Sequence, residues 1–221
     1  MDGNRRWAFK QGLSTREGHN KGASSIHTAI DFCLEKHISY LTLYAFSIEN
    51  IKRSEEEKHY LFEILVNTAE QEIEKLKKKN VHVKFIGEKS LFSKNIKTSC
   101  EKIEHETASC SQLFLTILLF YGGKQEIVDT TKRIALKIKK GDLQIEDITP
   151  ELFEHFLWTG QTPEPELIIR TGGHHRLSNF LPYQSTYSEL YFLDCLWPDI
   201  TTHDLEKALE YFNSCEKKLG T

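Results

Sequence analysis

Residues 2–7 (DGNRRW), followed by Gly18-His19, combine residue types that can bind a phosphate group and a metal ion. Glycine permits close backbone approach to a phosphate, and arginine offers paired hydrogen-bond donors. An aspartate among such donors is suited to hold Mg²⁺, which prefers oxygen ligands. Since DGN is also a common turn sequence, the residues alone leave a purely structural interpretation open.

A polar run at residues 170–179 (RTGGHHRLSN) is more specific. Arg170 and Arg176 stand on either side of a glycine pair, with a hydroxyl between them, which predicts a cradle for a diphosphate. The adjacent histidines 174 and 175 can indicate zinc, but no nearby cysteine completes a ligand set. Neither a GxxxxGK[ST] loop nor a GxGxxG fingerprint occurs, which disfavours nucleotide and dinucleotide enzymes.

Two smaller clusters carry carboxylates. Residues 47–50 (SIEN), with Arg53 just beyond, follow an apolar run and are, taken alone, more typical of a strand end that enters a helix cap. Glu189 stands between aromatic residues in YSELYF. It is either a member of a buried ion pair, which the residues alone favour, or a second metal ligand.

The composition predicts a soluble globular protein of one domain, residues 1–221, since 39% of the residues are hydrophobic and 28% are charged. A formal net charge of −3 argues against a nucleic-acid binder. The five cysteines include no CxxC pair, which disfavours zinc or disulfides and favours the cytoplasm. No apolar run approaches the roughly 18–20 residues that cross a bilayer.

Hydrophobic periodicity predicts strands and helices in alternation. The predicted strands cover residues 40–46, 81–86, 113–120 and 167–169. The predicted helices cover residues 26–34, 55–79, 90–109, 127–138, a shorter segment from 149, and 204–219. This alternation favours an α/β fold with a mainly parallel sheet, in which ligands bind beyond the carboxyl ends of the strands. The polar clusters follow such strand ends.

Seven segments together resemble, in order and spacing, the signature of the cis-prenyltransferases, and most closely the bacterial undecaprenyl diphosphate synthases. They are DGNRRW, GHNKG, LTLYAFSIEN, FYGG, LIIRTGGHHRLSNFLPYQSTYSELYF, LWPD and the closing KKLG. The resemblance covers nearly the whole chain. It implies a single α/β domain with a central, mostly parallel sheet flanked by helices, a hydrophobic tunnel, and a homodimer.

The resemblance also implies an activity. Members of the family condense isopentenyl diphosphate onto an allylic diphosphate such as farnesyl diphosphate, with Mg²⁺ as cofactor. The expected product is a long-chain cis-polyprenyl diphosphate, here undecaprenyl diphosphate for the lipid carrier of the bacterial cell wall. We expect a cytoplasmic enzyme that makes at most peripheral contact with the membrane to release its product.

The resemblance assigns roles to individual residues of this chain. Asp2 would position Mg²⁺ and assist departure of the diphosphate, with His175 and Glu189 as further metal-site residues, and Asn50 would help to remove the proton. The allylic diphosphate would contact Gly3, Asn4, Arg6, His19 and Arg53. The diphosphate of isopentenyl diphosphate would contact Arg170, Arg176 and Ser178. Further substrate-contact candidates are Arg5, Trp7, Arg16, Ser47, Ile48, Glu49, Ile51 and Leu177.

Some positions depart from the family pattern. Relatives carry a short apolar strand before DGN, and we expect that strand upstream of Met1, since its loss would expose sheet edges and core. Arg5 replaces a usual glycine, Ile51 replaces a tryptophan, and Arg16 stands one place later than the family's arginine.

Two alternatives remain open. A non-catalytic partner subunit would normally have lost the aspartate and the RxG signature, whereas Asp2, Arg170 and Gly172 are present. A synthase of shorter products is the second alternative, because bulky residues of the strand at 113–120 would narrow the tunnel. The candidates for that narrowing are Phe114, Leu118, Leu119 and Phe120.

Overall fold

The computed structural model describes residues 1–216, apart from several side chains between residues 55 and 70. The segment 217–220 (KKLG), which contributes to the resemblance, lies outside the described residues, as does the end of the helix predicted over 204–219. None of the described helices is long and apolar enough to span a membrane.

Over residues 40–140 helices and strands alternate as the periodicity predicts, whereas the helix Asn4–Lys10 and the strand Glu189–Phe192 are not among the predicted elements. The helices are α1 (Asn4–Lys10), α2 (Thr15–Glu35), α3 (Glu55–Lys78), α4 (Lys94–Glu106), α5 (Gly123–Lys140), α6 (Pro150–Phe156) and α7 (Thr202–Ser214). The strands are β1 (Tyr40–Ser47), β2 (Val81–Ile86), β3 (Leu113–Tyr121), β4 (Leu167–Arg170) and β5 (Glu189–Phe192). A capping box between Ser14 and Glu17 begins α2. Thr149 caps α6 with a proline at its first position.

The strands form two parallel sheets. One has the order β1-β3-β2 and the other pairs β4 with β5. The predicted α/β class with parallel strands flanked by helices is therefore confirmed. In the described part of the chain β1 and β4 are not paired with each other, and both border the same cavity. The additional strand expected before DGN stays a prediction.

Strand β3 lies at the centre of the core. Its residues Leu113, Leu115, Leu118, Leu119 and Tyr121 are at most 2% exposed. An almost wholly apolar sequence suits this place, because a parallel strand between two neighbours is covered on both faces. Helices α2, α3 and α4 pack against the three-stranded sheet and contribute to the same apolar cluster.

A fully buried carboxylate, Glu126 of α5, fixes the chain that follows β3. It accepts hydrogen bonds from the Tyr121 hydroxyl (2.5 Å) and from Nε2 of Gln184 (2.8 Å). It also accepts from the backbone N–H and the hydroxyl of Thr159, both at 2.9 Å. Four donors, from the end of β3, the turn after α6 and the loop before β5, thus satisfy one buried carboxyl group, which joins these segments to α5.

The Glu126→Ala variant should lose about 3 kcal/mol or more of unfolding free energy, because it leaves these buried donors unpaired. Urea unfolding followed by circular dichroism measures the change. Lys132→Ala, at an exposed position of the same helix, is the matched control and should stay within about 0.5 kcal/mol of the parent. An equal, small effect of both variants would show that the cluster is not a stabilising element.

Candidate active site

The carboxyl end of β4 contacts the segment at Asp2, and the end of β1 lines the same cavity. The Asp2 backbone N–H donates to the Thr171 hydroxyl, and that hydroxyl donates to the Asp2 carbonyl, both at 2.9 Å. The Trp197 backbone N–H donates to the same carbonyl at 3.0 Å. Thr171 is only 2% exposed. The backbone of Asp2 is therefore held directly beside the end of β4.

The Asp2 carboxylate lies between two guanidinium groups. Its Oδ2 accepts a hydrogen bond from Nη2 of Arg170 at 3.1 Å, and its Oδ1 lies 3.4 Å from Nη2 of Arg6. Burial by itself would raise the pKa of Asp2, but the hydrogen bond from Arg170 and the charges of Arg6 and Arg170 outweigh it. The pKa of Asp2 is consequently below its ordinary value, and the carboxylate is ionised at neutral pH.

The loop after β4 is arranged around Arg170. Its Nη1 donates to the Ser178 hydroxyl at 2.8 Å and to the carbonyl of Arg176. Gly172 has φ +92°, and a Cβ there would lie 2.5 Å from Nη2 of Arg6, so glycine is needed for the close approach of that arginine. The Arg176 side chain is exposed at the rim of the cavity. Arg170, Arg176 and Ser178 are therefore close together, as the sequence predicted.

Asn179 connects this loop to two other strand ends. Its Nδ2 donates to Oε1 of Glu49 at 2.7 Å and to Oε1 of Gln125 at 3.1 Å. Its Oδ1 accepts from the Lys124 backbone N–H at 2.8 Å. Sequence reasoning did not select Asn179, or Thr171, for a role at the site. Their position within the RTGGHHRLSN run was the available signal.

At the end of β1, Asn50 acts as a cap. Its Oδ1 accepts from the Ser47 backbone N–H at 3.2 Å, within a short 3₁₀ turn over Ile48–Lys52. This bond fixes the amide where the side chain lines the cavity. Arg53 follows the turn and lines the same cavity as His19.

Helix α1 crosses α2 at two glycines. A Cβ at Gly22 would lie 2.0 Å from Oδ1 of Asn4, and a Cβ at Gly18 would lie 2.4 Å from the Asn4 carbonyl oxygen. Any larger side chain would therefore push the two helices apart. The crossing brings Asn4 and the arginines of α1 towards His19 of α2, which explains why the GHNKG segment accompanies DGNRRW.

The cavity has a volume of about 1080 Å³, with polar groups at the strand ends and apolar residues inside. The predicted site residues that line it are Asp2, Asn4, His19, Ser47, Asn50, Arg53, Arg170, Arg176, Leu177 and Ser178. Its apolar lining includes Ile26, Ile30, Leu43, Leu61, Ile64, Leu115 and Ile117. An apolar chain attached to a diphosphate at the rim would enter this space.

The proposed narrowing of the tunnel by β3 was assigned to the wrong residues. Leu115 and Ile117 line the cavity, whereas the lining contains none of the four predicted residues. Leu118, Leu119 and Phe120 are buried in the core, at most 4% exposed, and Phe114 stacks on Tyr40 with ring centres 5.2 Å apart. Since β3 is apolar on both faces, and Leu119 shares the strand parity of Leu115 and Ile117, its sequence revealed neither which face nor which part of the strand borders the cavity.

The remaining predicted substrate contacts do not line the cavity. Gly3, next to the lining residues Asp2 and Asn4, is buried against Leu196, and the side chains of Arg5 and Arg6 are exposed. Trp7 donates from its indole to Oδ1 of Asp199 at 2.6 Å. This bond between the DGNRRW and LWPD segments indicates a role in packing.

The others are dispersed around the site. Ile51 packs against the main core, and Arg16 is exposed on α2. Glu49 accepts the hydrogen bond from Asn179, and Ile48 lies against Gly122. Whether any of them contacts substrate stays a prediction.

The three predicted metal-site residues do not come together within one chain. His175 stacks on Phe192, with ring centres 4.8 Å apart. Glu189 is opposite Leu167 in the register of β4 and β5, three residues or about 10 Å before Arg170. Over residues 1–216, as far as they are described, no three His, Cys, Asp or Glu residues form a metal-binding group.

The surroundings of Asp2 nevertheless fit Mg²⁺. This ion commonly uses one or two carboxylates, with water and substrate phosphate oxygens as its other ligands. Asp2 supplies one ionised, half-buried carboxylate beside the arginines that would hold such phosphates. The chain therefore provides a suitable ligand, although not a complete cage.

Comparison with known proteins assigns the family. The family profile described as "Putative undecaprenyl diphosphate synthase" matches residues 1–220. The chain is 40% identical over 220 residues to the ditrans,polycis-undecaprenyl-diphosphate synthase ((2E,6E)-farnesyl-diphosphate specific) of Escherichia coli K12, covering 100% of this chain and 87% of that protein. It is 38% identical over 221 residues to the tritrans,polycis-undecaprenyl-diphosphate synthase (geranylgeranyl-diphosphate specific) of Thermoplasma acidophilum, covering 99% and 86%.

A solved structure of similar fold supports the same family assignment. Lavandulyl diphosphate synthase from Lavandula x intermedia, crystallised with dimethylallyl diphosphate, superposes with a TM-score of 0.97 at 30% identity, covering 100% of this chain and 95% of that one. The fold, the motifs and the full-length similarity lead to one conclusion: the chain belongs to the undecaprenyl diphosphate synthase family of prenyltransferases.

Proposed function

We propose that this prenyltransferase condenses isopentenyl diphosphate onto an allylic diphosphate, with Mg²⁺ as cofactor. The observation that carries the proposal is the ionised Asp2 carboxylate, held between Arg6 and Arg170 at the rim of a cavity with an apolar interior. A charged, phosphate-binding rim above an apolar space is suited to a substrate with a diphosphate head and a hydrocarbon chain.

The proposed reaction breaks the bond between the allylic carbon and its diphosphate oxygen and joins that carbon to the double bond of isopentenyl diphosphate. A proton is then lost, and inorganic diphosphate leaves. Negative charge grows on the leaving group, so donors such as Arg53, Arg6 and the backbone near Gly3 stabilise the transition state most. Bound Mg²⁺ would supply further positive charge to that group. The apolar cavity excludes water, which would otherwise capture the allylic cation.

Isopentenyl diphosphate is assigned to the loop after β4. Arg170 is anchored by Asp2 and Ser178, and Arg176 presents an exposed guanidinium beside it. A pair of arginines and a hydroxyl can bind the oxygens of one diphosphate in several directions. Asn50 at the cavity wall is assigned to help in removal of the proton, with its amide oriented by the Ser47 N–H.

We propose undecaprenyl diphosphate as the product and farnesyl diphosphate as the primer, as in the name of the Escherichia coli relative. A primer of the geranylgeranyl type and a shorter product are the alternatives, given the names of the Thermoplasma and lavender proteins. A non-catalytic partner subunit is less well supported, because Asp2 and the RTGG loop retain their contacts.

We further propose a cytoplasmic homodimer that contacts the membrane only peripherally to release a product for cell-wall lipid carriers. The position of Glu189, about 10 Å along the strands from Arg170, supports the dimer, since this carboxylate would serve a partner's site rather than its own. All five cysteines, which lie within the described residues, are free thiols, as the reducing cytoplasm favours.

The first test is incubation of the protein with farnesyl diphosphate, labelled isopentenyl diphosphate and Mg²⁺, followed by separation of products by chain length. We expect a ladder that ends near eleven isoprene units. A ladder that ends earlier would support the shorter-product alternative. No incorporation by a folded protein, with any upstream strand included, would contradict the enzymatic proposal and favour the partner subunit.

Asp2→Ala should lower kcat by about two to three orders of magnitude, because it removes the ligand proposed for Mg²⁺ and the partner of Arg170. Affinity for the allylic diphosphate, measured by calorimetry, should change much less. Asp142→Ala, at an exposed position after α5, is the control and should retain activity. Near-normal turnover of Asp2→Ala would refute the role of this residue.

Arg176→Ala should chiefly raise the Michaelis constant for isopentenyl diphosphate, by about tenfold or more, because a charge-assisted contact to its diphosphate is lost. Steady-state kinetics with each substrate varied in turn separates the two sites. Lys132→Ala again serves as the control. An effect confined to the allylic substrate would overturn the assignment of this loop to isopentenyl diphosphate.

A further inference from the structure

Glu57, in the first turn of α3, lies beside Arg53 and His19, which the resemblance assigns to the allylic diphosphate, and near Arg5, a further substrate-contact candidate. Its Oε1 accepts a hydrogen bond from Nη1 of Arg53 at 3.1 Å and lies 3.9 Å from Nε2 of His19. Its Oε2 lies 3.9 Å from Nη1 of Arg5. The side chain is only 13% exposed. A partly buried carboxylate thus occupies the space between groups that are expected to bind an anion.

The Glu57 carboxylate leaves part of the hydrogen-bonding capacity of the surrounding groups unused. At 3.9 Å neither Arg5 nor His19 forms a hydrogen bond to Glu57. Nε2 of His19 and the hydroxyl of Tyr60 are buried and have no hydrogen-bond partner within the described residues. The His19 and Tyr60 rings lie 6.1 Å apart, beside the same acid. The site therefore has more hydrogen-bonding capacity than one carboxylate uses, which indicates a ligand with more oxygens.

The charges around Glu57 also indicate that the site can bind an anion larger than one carboxylate. Burial and the nearby charges of Arg53 and Arg5 lower the pKa of His19 to about 4, so its imidazole is neutral at pH 7. Two arginine charges then face one carboxylate in the absence of substrate. Removing that carboxylate would leave the arginines without a local counter-charge, whereas a bound diphosphate would replace it with a larger negative charge.

We propose that Glu57 is an internal counter-anion of the allylic diphosphate site, which holds Arg53 and Arg5 in the free protein and is displaced when a diphosphate binds. The proposal rests on the assignment of Arg53 and His19 to that diphosphate and on Arg5 as a further substrate contact. Glu57 then has two opposite effects. It stabilises the empty site, and it weakens anion binding because its contacts must be given up first and its charge repels the ligand.

Glu57→Gln keeps the size of the side chain and removes its charge. Calorimetric titration with inorganic diphosphate in EDTA should show binding that is about fivefold or more tighter than in the parent protein. The melting temperature of the free variant should fall by about 2–4 °C. Saturating inorganic diphosphate should raise the melting temperature of the variant more than that of the parent. A residue that merely supports the fold would not show these opposite changes.

Glu56→Gln is the matched control, since it removes the same charge from the neighbouring, exposed position of α3. It should change neither affinity nor melting temperature measurably. Glu57→Asp, which withdraws the carboxylate by one methylene, should give a smaller gain in affinity. Unchanged or weaker binding of inorganic diphosphate by Glu57→Gln, or equal effects of the two glutamine variants, would overturn the proposal.

Kinetics separates this proposal from the proposed function. In an active enzyme, Glu57→Gln should lower the Michaelis constant for the allylic diphosphate and leave that for isopentenyl diphosphate unchanged. An active parent whose variant binds no more tightly would refute the counter-anion alone. An inactive parent whose variant still binds inorganic diphosphate more tightly would refute the enzymatic function and retain the counter-anion.

Discussion

The site depends first on the contact between Asp2 and Arg170, residues 168 positions apart in the sequence. This contact joins the segment that leads into α1 to the end of β4, and the Thr171 hydroxyl joins the same two backbones. Neither charged group is fully solvated, so each lowers the energetic cost of burying the other's charge. Arg170 is then placed to hold Ser178 and the carbonyl of Arg176, and through them the loop proposed to bind isopentenyl diphosphate.

Polar networks connect the loops around the cavity to one another and to α5. Asn179 connects the loop after β4 to Glu49 and to the start of α5, and the buried Glu126 connects α5 to segments near Thr159 and Gln184. Several loop residues have positive φ angles, including Ser178 (52°) and Asn179 (66°). Such conformations are unfavourable for non-glycine residues, and these side-chain hydrogen bonds help to hold the loop in place.

Carboxylates within the site compensate the positive charges of its arginines. Asp2 lies against Arg6 and Arg170, and Glu57 lies against Arg53 and Arg5. Their proposed roles differ, because Asp2 would remain as the ligand of a metal ion while Glu57 would give way to the substrate. A site that binds a highly charged diphosphate and still folds without it needs such internal compensation. With these roles, the arrangement would exchange some substrate affinity for stability of the empty protein.

Residue patterns were enough to predict the α/β class, most of the helices and strands apart from α1 and β5, and the approximate place of the site, because strand and helix periodicities alternate and parallel strands end at one edge. The sequence also determined the family through its motifs. The folded chain was needed to show that Trp7 donates to Asp199 and that Leu115 and Ile117, rather than Leu118 to Phe120, line the cavity.

The surroundings of Glu57 show why some contacts could not be predicted. Arg53 precedes Glu57 by four residues, so the sequence itself indicates that they can pair. The approach of Arg5 and His19 to Glu57 instead depends on the crossing of helices α1 and α2 at Gly18 and Gly22. Contacts between distant segments arise from packing, which residue types and local spacing do not specify.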